Sequence, residues 1–591
     1  MRWGIILWWA GLITIGVIVY AAMLRIQSAY SVDAISAVWT VALAIAGAVT
    51  VGSALTLIYQ KPTYKIVLQH PVPTLLAALS IVPPVMLFTL IATYSVEIPL
   101  HDEWDLTLAT AVTTASGDLT FADWWTQHNN ARPVLPRMFA SLWAVTHDLN
   151  LRVELSLVYI MAVMVLVLLL TLVHAQVPEL TAYLILPLSA LVFSLPQYSL
   201  WLWIGIIWIP IILFLLLGMV IIQRREVSWG ALIAAALTCV TASLCHAGGF
   251  VTWVALLVMI WMIGYRKWQH IAFWITAAVT TRLVFLIGYV DYDPTEVTAT
   301  VSGMTVYFLT LLSAPFTLRF SFSGGALYNL LIVVLPLLSL ILALAGTLYI
   351  YRRTRTLKVI APWVTLLTFG IVHAALITWS RAPFGQQQAQ LTSRYVATTN
   401  VYWYGVVIVG AITAYYYFRQ ERSRRPQWVS LTVSTYGLFV LTLMMLHVAT
   451  LSTARGGANR TRSLANEGVT CILRYLIVEN DTTCMTTIYP IERALPVNLL
   501  DQHGLSTLTR EFALAIPMVE PSATVYVPVN GQLSLFVIGN PENVTVRAAQ
   551  QPPVRVETAV FNLTERYAGQ QIQLESGRAG DVVLRFEGIT K

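Results

Sequence analysis

The chain contains few charged residues. Asp, Glu, Lys and Arg together make up 11% of its 591 residues, whereas a soluble globular protein carries roughly 25%. Hydrophobic residues make up 57%, and the mean hydropathy is +0.72. This composition excludes an ordinary soluble domain and predicts a polytopic α-helical membrane protein. The net charge of +7 does not indicate nucleic-acid binding, because the basic residues lie in short segments between apolar runs.

Cysteine is also scarce. Four cysteines in a chain of this length exclude a disulfide scaffold. Cys239 and Cys245 lie in or beside an apolar run, whereas Cys471 and Cys484 lie in a polar tail. If that tail is outside the cytoplasm, where disulfides persist, we expect a Cys471–Cys484 bond. The sequence has no evident internal repeat and no low-complexity segment.

Long apolar runs, by contrast, are abundant. A membrane-spanning helix needs about 20 apolar residues. We predict thirteen such helices, at 4–24, 36–59, 72–95, 156–175, 180–195, 200–222, 229–245, 249–265, 270–290, 326–350, 359–379, 397–418 and 428–451. The first has no small-residue cleavage site, so we expect a membrane span rather than a cleaved signal.

The positions of Lys and Arg predict the orientation. Alternate loops are basic, including "YRRTRTLK" at 351–358 and "RQERSRRPQ" at 419–427, and basic short loops face the cytoplasm. The N-terminus is therefore predicted to be cytoplasmic, and the acidic segment after the third helix and the tail from 452 extracytoplasmic. If 302–318 were counted as a span, the basic loop 351–358 would lie outside the cytoplasm, against the charge rule. We therefore interpret 302–318 as a re-entrant or surface-lying external helix.

These patterns divide the chain into four predicted regions. Residues 1–71 supply two additional N-terminal helices, and 72–451 form the membrane core with a large external loop at 96–155. A connector of helix and loop follows at 452–522. Residues 523–591 alternate apolar and polar residues in short runs separated by turn signals, which predicts a small extracytoplasmic β-rich domain of sandwich type.

An acidic cluster opens the external loop. In "HDEWD", the carboxylates of Asp102, Glu103 and Asp105 stand beside His101 and Trp104, directly after an apolar run. Acidic residues are tolerated outside the membrane, so a solvated helix end is one interpretation. A functional site is the other.

Further polar residues favour the functional interpretation. They occur at several predicted external exits: His128, Asn129 and Arg132 in the same loop, then Gln197, His246, Arg381 and Arg394. We expect them to converge on one external pocket. Arg282 lies inside an apolar run, where an arginine costs at least ~2.5 kcal/mol on insertion scales. It is either a functional residue or the partner of a neighbouring polar group.

The order of three motifs resembles the GT-C superfamily of membrane glycosyltransferases, in particular bacterial members of this size. The motifs are "HDEWD", "QHNNARPVLPR" and "LTSRY", and the tail stretch "CILRYLIVENDTTCMTTIYP" is also similar. The resemblance covers most of 72–490. In the second motif the expected Glu-His pair reads Asn130 and Ala131, so Arg132 alone matches, and the two helices before the core are additional.

The resemblance implies an inverting transferase that uses a sugar linked to polyprenyl phosphate. Asp102 would be the catalytic base, with Glu103 as the runner-up, and Arg132, Arg381 and Arg394 would bind the donor phosphate. The acceptor would be an extracytoplasmic glycan, lipid or protein. The residues expected to contact substrate are His101, Trp104, Asp105, His128, Asn129, Gln197 and Tyr395.

Other possibilities remain open at this stage. A divalent metal, Mg²⁺ or Mn²⁺, is possible in this superfamily, but the sequence spacing gives no closed ligand set. Trp104, Trp124 and Trp125 would either stack on sugars or anchor the loop at the membrane interface. A transporter or flippase of lipid-linked glycans, or a non-catalytic membrane scaffold, would share the same composition. All of these readings place the protein in the cytoplasmic membrane.

Overall fold

The structure is a computed structural model. It describes residues 76–96, 98–147, 149–224, 227–290, 299–317, 326–391, 393–421, 454–477 except 473 and 475, and most of 513–587. The predicted spans at 4–24, 36–59 and 428–451 lie outside the described residues.

Seven described helices are long and apolar enough to cross a membrane. They are Leu76–Tyr94, Leu151–Gln176, Pro178–Gln197, Gly205–Gln223, Asn329–Thr354, Ala361–Phe384 and Ser393–Tyr417. A multi-pass membrane protein is therefore compatible with the structure, but the count of thirteen spans is not confirmed.

Three predicted spans correspond to shorter or less apolar helices. The runs at 229–245 and 249–265 form the helices Trp229–Ser243 and Ala247–Ile263, which are shortened by the turn between them. The run at 270–290 forms an 18-residue helix, Trp268–Phe285, which contains Arg282. This helix is not among the seven.

We number the helices in chain order. They are α1 Val82–Tyr94, α2 Ala109–Ala115, α3 Phe121–Trp125, α4 Val134–His147, α5 Leu151–Gln176, α6 Thr181–Val192, α7 Gly205–Arg224, α8 Trp229–Ser243, α9 Val251–Ile263, α10 Trp268–Phe285, α11 Val301–Thr317, α12 Ala326–Thr354, α13 Ala361–Arg381, α14 Gln386–Leu391 and α15 Val396–Glu421. The core forms where α7 packs on α5 and α8, and where α13 packs on α9 and α15.

The segment predicted to be re-entrant is α11, which packs on α12, α13, α14 and α15. Its position relative to the membrane stays a prediction.

A glycine allows α13 and α15 to approach closely. A Cβ atom at Gly370 would lie 2.5 Å from Cβ and 2.7 Å from the backbone nitrogen of Tyr402. Only a residue without a side chain fits there, and small residues are the usual means by which membrane helices come together. This contact fixes the end of α13, where Arg381 lies, relative to the start of α15, which Arg394 precedes.

The tail contains a small β-rich domain, as predicted. Its strands are β1 Ala513–Pro517, β2 Ser522–Tyr526, β3 Gln532–Val537, β4 Thr545–Ala548, β5 Val554–Arg555, β6 Val560–Asn562, β7 Gln571–Glu575 and β8 Val582–Glu587. They form two antiparallel four-stranded sheets, in the orders β1-β8-β3-β6 and β2-β7-β4-β5. The domain begins earlier than the predicted boundary at 523, because β1 pairs along its full length with β8.

The cysteines divide into two groups. Cys239 and Cys245 are free and buried among the membrane helices. Cys471, which lies in the helix formed by residues 454–472, is disulfide-bonded. Its predicted partner, Cys484, lies outside the described residues.

Candidate functional site

Polar side chains from distant parts of the chain line one cavity of about 520 Å³. Six of the predicted site residues line it: Asp102, His128, Asn129, Arg381, Arg394 and Tyr395. His246 and Arg282, which the sequence also singled out, line the same cavity. The described structure thus brings together residues that the sequence separates by almost 300 positions.

Asp102 is the only carboxylate among the described residues that line the cavity. It follows His101, whose φ of 47° turns the chain between α1 and the π-helical turn Trp104–Leu108. The Asp102 carbonyl accepts the backbone N–H of Leu106 at 2.9 Å, which fixes the start of that turn. The Asp102 side chain is 37% exposed, so its carboxylate stays accessible to a substrate.

His128 lies beside Asp102. Its Nε2 is 3.9 Å from Asp102 Oδ1 and 3.0 Å from Asn129 Nδ2. Burial lowers the pKa of His128 below its ordinary value, although Asp102 and Asp105 raise it in part. The imidazole is therefore neutral at pH 7. The 3.9 Å separation is too long for a hydrogen bond, so His128 leaves the oxygens of Asp102 available.

The loop that carries His128 is attached to the end of α10. His128 and Ala131 form a pair of 2.9 Å backbone hydrogen bonds around a tight turn. Gln127 Nε2 donates to the Val290 carbonyl at 2.6 Å, and the Val290 N–H donates to Gln127 Oε1 at 2.9 Å. Tyr289 Oη donates to Asn130 Oδ1 at 3.1 Å. These contacts hold His128 on the same cavity wall as Arg282.

Arg132 completes this attachment. Its guanidinium donates to the carbonyl oxygens of Phe285 at 2.8 Å and Ile287 at 2.7 Å, and to that of Trp125. The residue is only 3% exposed. Because its donors are directed at the backbone, Arg132 fastens the loop, and its position does not support the predicted contact with a donor phosphate.

Arg137 has a similar role that the sequence reasoning missed. Its guanidinium donates to the carbonyl oxygens of Leu106 at 3.0 Å and of Thr126. It therefore joins the π-helical turn after "HDEWD" to the end of α3. Burial lowers the pKa of Arg137 to about 10, so it keeps its charge at neutral pH. Its place in the second motif, five residues after Arg132, was the available sequence signal.

Three other arginines give the cavity a strong positive charge. None of the guanidinium groups of Arg282, Arg381 and Arg394 forms a hydrogen bond or ion pair with a described residue. Each lies over an aromatic ring instead, with Cζ 5.1 Å from the ring centre of Phe250 for Arg282, 5.6 Å from that of Phe384 for Arg381, and 5.1 Å from that of Trp203 for Arg394. Aromatic faces hold a guanidinium without using its N–H donors. The three groups can therefore bind an anion.

Trp203 connects the first and third motifs. Its indole N–H donates to the Leu100 carbonyl at 2.8 Å, and its ring packs edge-on against His101. On the other side it supports Arg394, whose position is also fixed by a hydrogen bond from the Ser199 N–H to Ser393 Oγ at 3.0 Å. Burial lowers the pKa of His101, and the charge of Arg394 lowers it further, against the effect of Asp102.

Glu103 points away from the cavity. Its Oε2 accepts the Leu100 N–H at 2.8 Å inside the protein. Burial raises the pKa of Glu103 well above its ordinary value, and the nearby carboxylates of Glu154 and Asp102 raise it further. An enclosed carboxyl that already accepts a backbone N–H is not positioned to take a proton from a substrate in the cavity, so the runner-up assignment as base is not supported by this position.

Four other predicted substrate contacts do not line the cavity. His101 lies behind Trp203, and Trp104 is buried beneath the turn. Gln197 is buried, with its amide donating to the Leu191 carbonyl at 3.3 Å. Asp105 does not line the cavity either. His101, Trp104 and Asp105 lie within two positions of Asp102 or Leu106, which do line the cavity, so sequence proximity alone does not distinguish the two groups.

The inner part of the cavity consists of rings. His246 packs on Trp208 with 4.5 Å between ring centres, and its Nδ1 accepts the Gly248 N–H at 3.0 Å. His373 and Tyr395 each stand 5.8 Å from Trp208. Burial, then the neighbouring His373, Arg381, His128 and Arg394, lower the pKa of His246 to about 3. The sequence did not single out Trp208 or His373, because both lie within apolar runs.

The donor set does not fit a divalent metal. Among the described residues no group of three His, Cys, Asp or Glu side chains is close enough to hold an ion. Mg²⁺ and Mn²⁺ prefer oxygen ligands, and Asp102 alone supplies a carboxylate to the cavity within the described chain. We therefore derive no step that uses a metal.

Comparison with known proteins gives no match to a family model, to a curated protein or to a solved structure. The geometry of the cavity therefore carries the functional argument.

Proposed function

We propose that the protein is an inverting glycosyltransferase that takes a sugar from a polyprenyl-phosphate donor and transfers it to an extracytoplasmic acceptor. One observation carries the proposal: among the described residues, one accessible carboxylate and three guanidinium groups without ionic partners line the same cavity. Such a cavity offers one proton acceptor and a binding site for an anion. This pairing matches the chemistry that the GT-C resemblance implies.

Asp102 is the base in this proposal. Its carboxylate takes the proton of an acceptor hydroxyl while that oxygen attacks the anomeric carbon from the side opposite the phosphate. The new C–O bond forms as the bond from the anomeric carbon to the phosphate oxygen breaks, and the bonding electrons leave with the phosphate. Base catalysis of this kind contributes typically 10²–10⁴-fold.

The arginines bind the phosphate. The departing polyprenyl phosphate is a weak base and requires no proton, but it gains negative charge as the bond breaks. In this proposal Arg282, Arg381 and Arg394 bind its oxygens with charge-assisted hydrogen bonds. Preorganised donors of this type commonly supply the largest share of transition-state stabilisation. Arg132 is left out of this group because backbone carbonyls occupy its guanidinium.

The location of the cavity agrees with a lipid-linked donor. It lies where α13 ends at Arg381 and where the chain enters α15, at the membrane face that the loop charges predict to be extracytoplasmic. The polyprenyl chain would remain in the bilayer while the sugar phosphate enters the cavity. The protein is accordingly proposed to act in the cytoplasmic membrane, on a glycan, lipid or protein of the cell envelope.

The test is an Asp102→Asn variant assayed with polyprenyl-phosphate sugars and a mixture of envelope acceptors. We expect turnover to fall at least 100-fold with little change in donor affinity, because the amide keeps the shape and cannot accept the proton. Asp118→Asn changes an exposed carboxylate of the same loop and is the matched control. Undiminished turnover in Asp102→Asn would remove the mechanism. A scaffold or a flippase would tolerate the substitution.

A further inference from the structure

Two rings that line the cavity carry nitrogen atoms without partners. Within the described part of the chain, Trp208 Nε1 and both His373 ring nitrogens have no hydrogen-bond partner. The two side chains are only 5% and 1% exposed, and both line the cavity. Buried polar groups in native proteins are nearly always hydrogen-bonded, because leaving them unpaired is costly. Two such rings, 5.8 Å apart, therefore indicate that something in the cavity completes their bonding.

The inner end of the cavity, where these two rings lie, differs in chemistry from the arginines but adjoins them, because Arg394 lies 5.5 Å over the ring of Tyr395, which packs on Trp208. His373 precedes Arg381 by eight residues on α13, which is about 12 Å along a helix that rises 1.5 Å per residue. Ile377, midway between them, lines the cavity too. A molecule that places its anionic group at Arg381 and extends along α13 therefore passes Ile377 and points toward His373.

The hydrogen-bonding capacity of the inner end specifies what fits. The Trp208 indole only donates, and a neutral imidazole at His373 donates once and accepts once. At His246, Nδ1 already accepts the Gly248 N–H, so Nε2 carries the proton and donates. A hydroxyl group both donates and accepts, so neighbouring hydroxyls satisfy all of these atoms. An ammonium group would instead meet hydrogen-bond donors and the positive charges of Arg381 and Arg394, which act on His246.

We infer that the inner end of the cavity is the subsite for the sugar of the donor, and that Trp208 and His373 select an uncharged, hydroxyl-bearing sugar over a cationic amino sugar. This inference rests on the proposed function. The arginine end binds the phosphate of every polyprenyl-phosphate lipid, whereas the inner end contributes only when a sugar is attached. The affinity for the bare lipid therefore reports on the arginine end, and the gain in affinity when a sugar is attached reports on the inner end.

The experiment measures the affinity of the full chain, in lipid nanodiscs, for undecaprenyl phosphate and for the same lipid carrying glucose, galactose, mannose, arabinose or 4-amino-4-deoxyarabinose. We expect at least one neutral sugar to improve binding 10-fold or more over the bare lipid, and the amino sugar to give no improvement. His373→Phe and Trp208→Phe should each remove most of that advantage while leaving the affinity for the bare lipid unchanged. His373→Gln, which keeps a donor and an acceptor, should retain part of it.

Two matched controls distinguish a specific role from a general packing effect. His270 Nδ1 and Trp363 Nε1 are also buried without a partner, but neither residue lines the cavity. His270→Phe and Trp363→Phe should leave the ratio of the two affinities unchanged. The two Trp→Phe variants each leave a cavity in a buried site, which lowers stability, so the thermal unfolding of all four variants is measured beside the affinities.

The possible failures are separable. If no neutral sugar improves binding, if the amino sugar binds best, or if His373→Phe and Trp208→Phe leave the ratio unchanged, the sugar subsite is wrong. If the inner end of the cavity holds only water, no neutral sugar will improve binding over the bare lipid. If the wild type fails to bind even undecaprenyl phosphate, the proposed function itself is overturned.

Discussion

The guanidinium group of Arg394 lies over the indole ring of Trp203, 5.1 Å from the ring centre. The N–H of the same indole donates to the carbonyl of Leu100, two residues before Asp102. One side chain thus fixes the separation between the proposed base and a proposed phosphate ligand. Trp203 is a positioning residue, because its own ring does not line the cavity.

The Trp203 contact predicts a loss of donor affinity on substitution. A cation–π contact is worth about 0.5–2 kcal/mol, so Trp203→Leu should raise the Kd for undecaprenyl phosphate roughly 2- to 30-fold. Trp261→Leu is the control, because Arg266 lies over Trp261 at a similar 5.2 Å outside the cavity. The Kd of each variant is measured by isothermal titration. If both variants change the Kd equally, the contact between Arg394 and Trp203 has no specific role in donor binding.

Arg394 and Arg132 are expected to respond differently to lysine. Arg394→Lys should weaken donor binding, because an ammonium cannot make the fork-shaped contact to phosphate, and Arg394→Ala should weaken it more. Arg132→Lys should instead lower the stability of the protein by about 2 kcal/mol or more, since it leaves carbonyl oxygens of a buried attachment unpaired. Thermal unfolding and donor affinity, measured on both variants, check the assignment. A large loss of donor affinity with normal stability in Arg132→Lys would return that residue to the phosphate site.

Glu103 predicts a pH dependence of stability. In the unfolded chain its pKa lies near 4.5, whereas burial raises the folded-state pKa well above that value. Between the two values the folded state binds more protons, so stability falls as the pH rises above about 4.5. Glu103→Gln keeps the acceptor for the Leu100 N–H and removes the titration. The variant should gain stability relative to the wild type as the pH rises through this window, with turnover retained.

A melting-temperature series from pH 4.5 upward, on both proteins, measures that difference. A constant difference across the series would show that Glu103 does not titrate in the way its burial implies. Loss of turnover in Glu103→Gln would reopen its assignment as the base.

The tail is predicted to lie outside the cytoplasm. A reporter fused after residue 591 should be extracytoplasmic, and one inserted within 351–358 should be cytoplasmic. Protein made by an oxidising route should show two free thiols under denaturing, non-reducing conditions, from Cys239 and Cys245, and four after reduction. Four free thiols before reduction would contradict the bond at Cys471, and a cytoplasmic C-terminus would contradict the predicted topology.

The sequence was most informative where it had a simple physical signal. Apolar length predicted the seven helices that are long and apolar enough to cross a membrane, and alternation predicted the β-rich domain. The polar residues at helix exits pointed to the cavity, because a charged or amide side chain next to an apolar run is conspicuous. Arg282, placed in the middle of such a run, does line the cavity.

The remainder depended on partners that are remote in the chain. Arg132 and Arg394 have the same side chain and both occur in motifs, yet one is bound by carbonyls from 285–287 and the other rests on Trp203. Trp208 and His373 read as ordinary members of spanning helices, and only their packing against each other makes them unusual. Periodicity reports which face of a helix is apolar, but not which nitrogen lacks a partner.

The attachment of the 127–132 loop to the end of α10 has a consequence for how the protein is made. Its hydrogen bonds to the end of α10 join residues 153 to 163 positions apart, so a ribosome must deliver the helices α5 to α10 before these bonds can form. During that interval the "HDEWD" and "QHNNA" segments are on the growing chain without their final supports. Truncated chains released from the ribosome should therefore expose this loop to protease if they end before residue 285, and should protect it if they extend beyond residue 290.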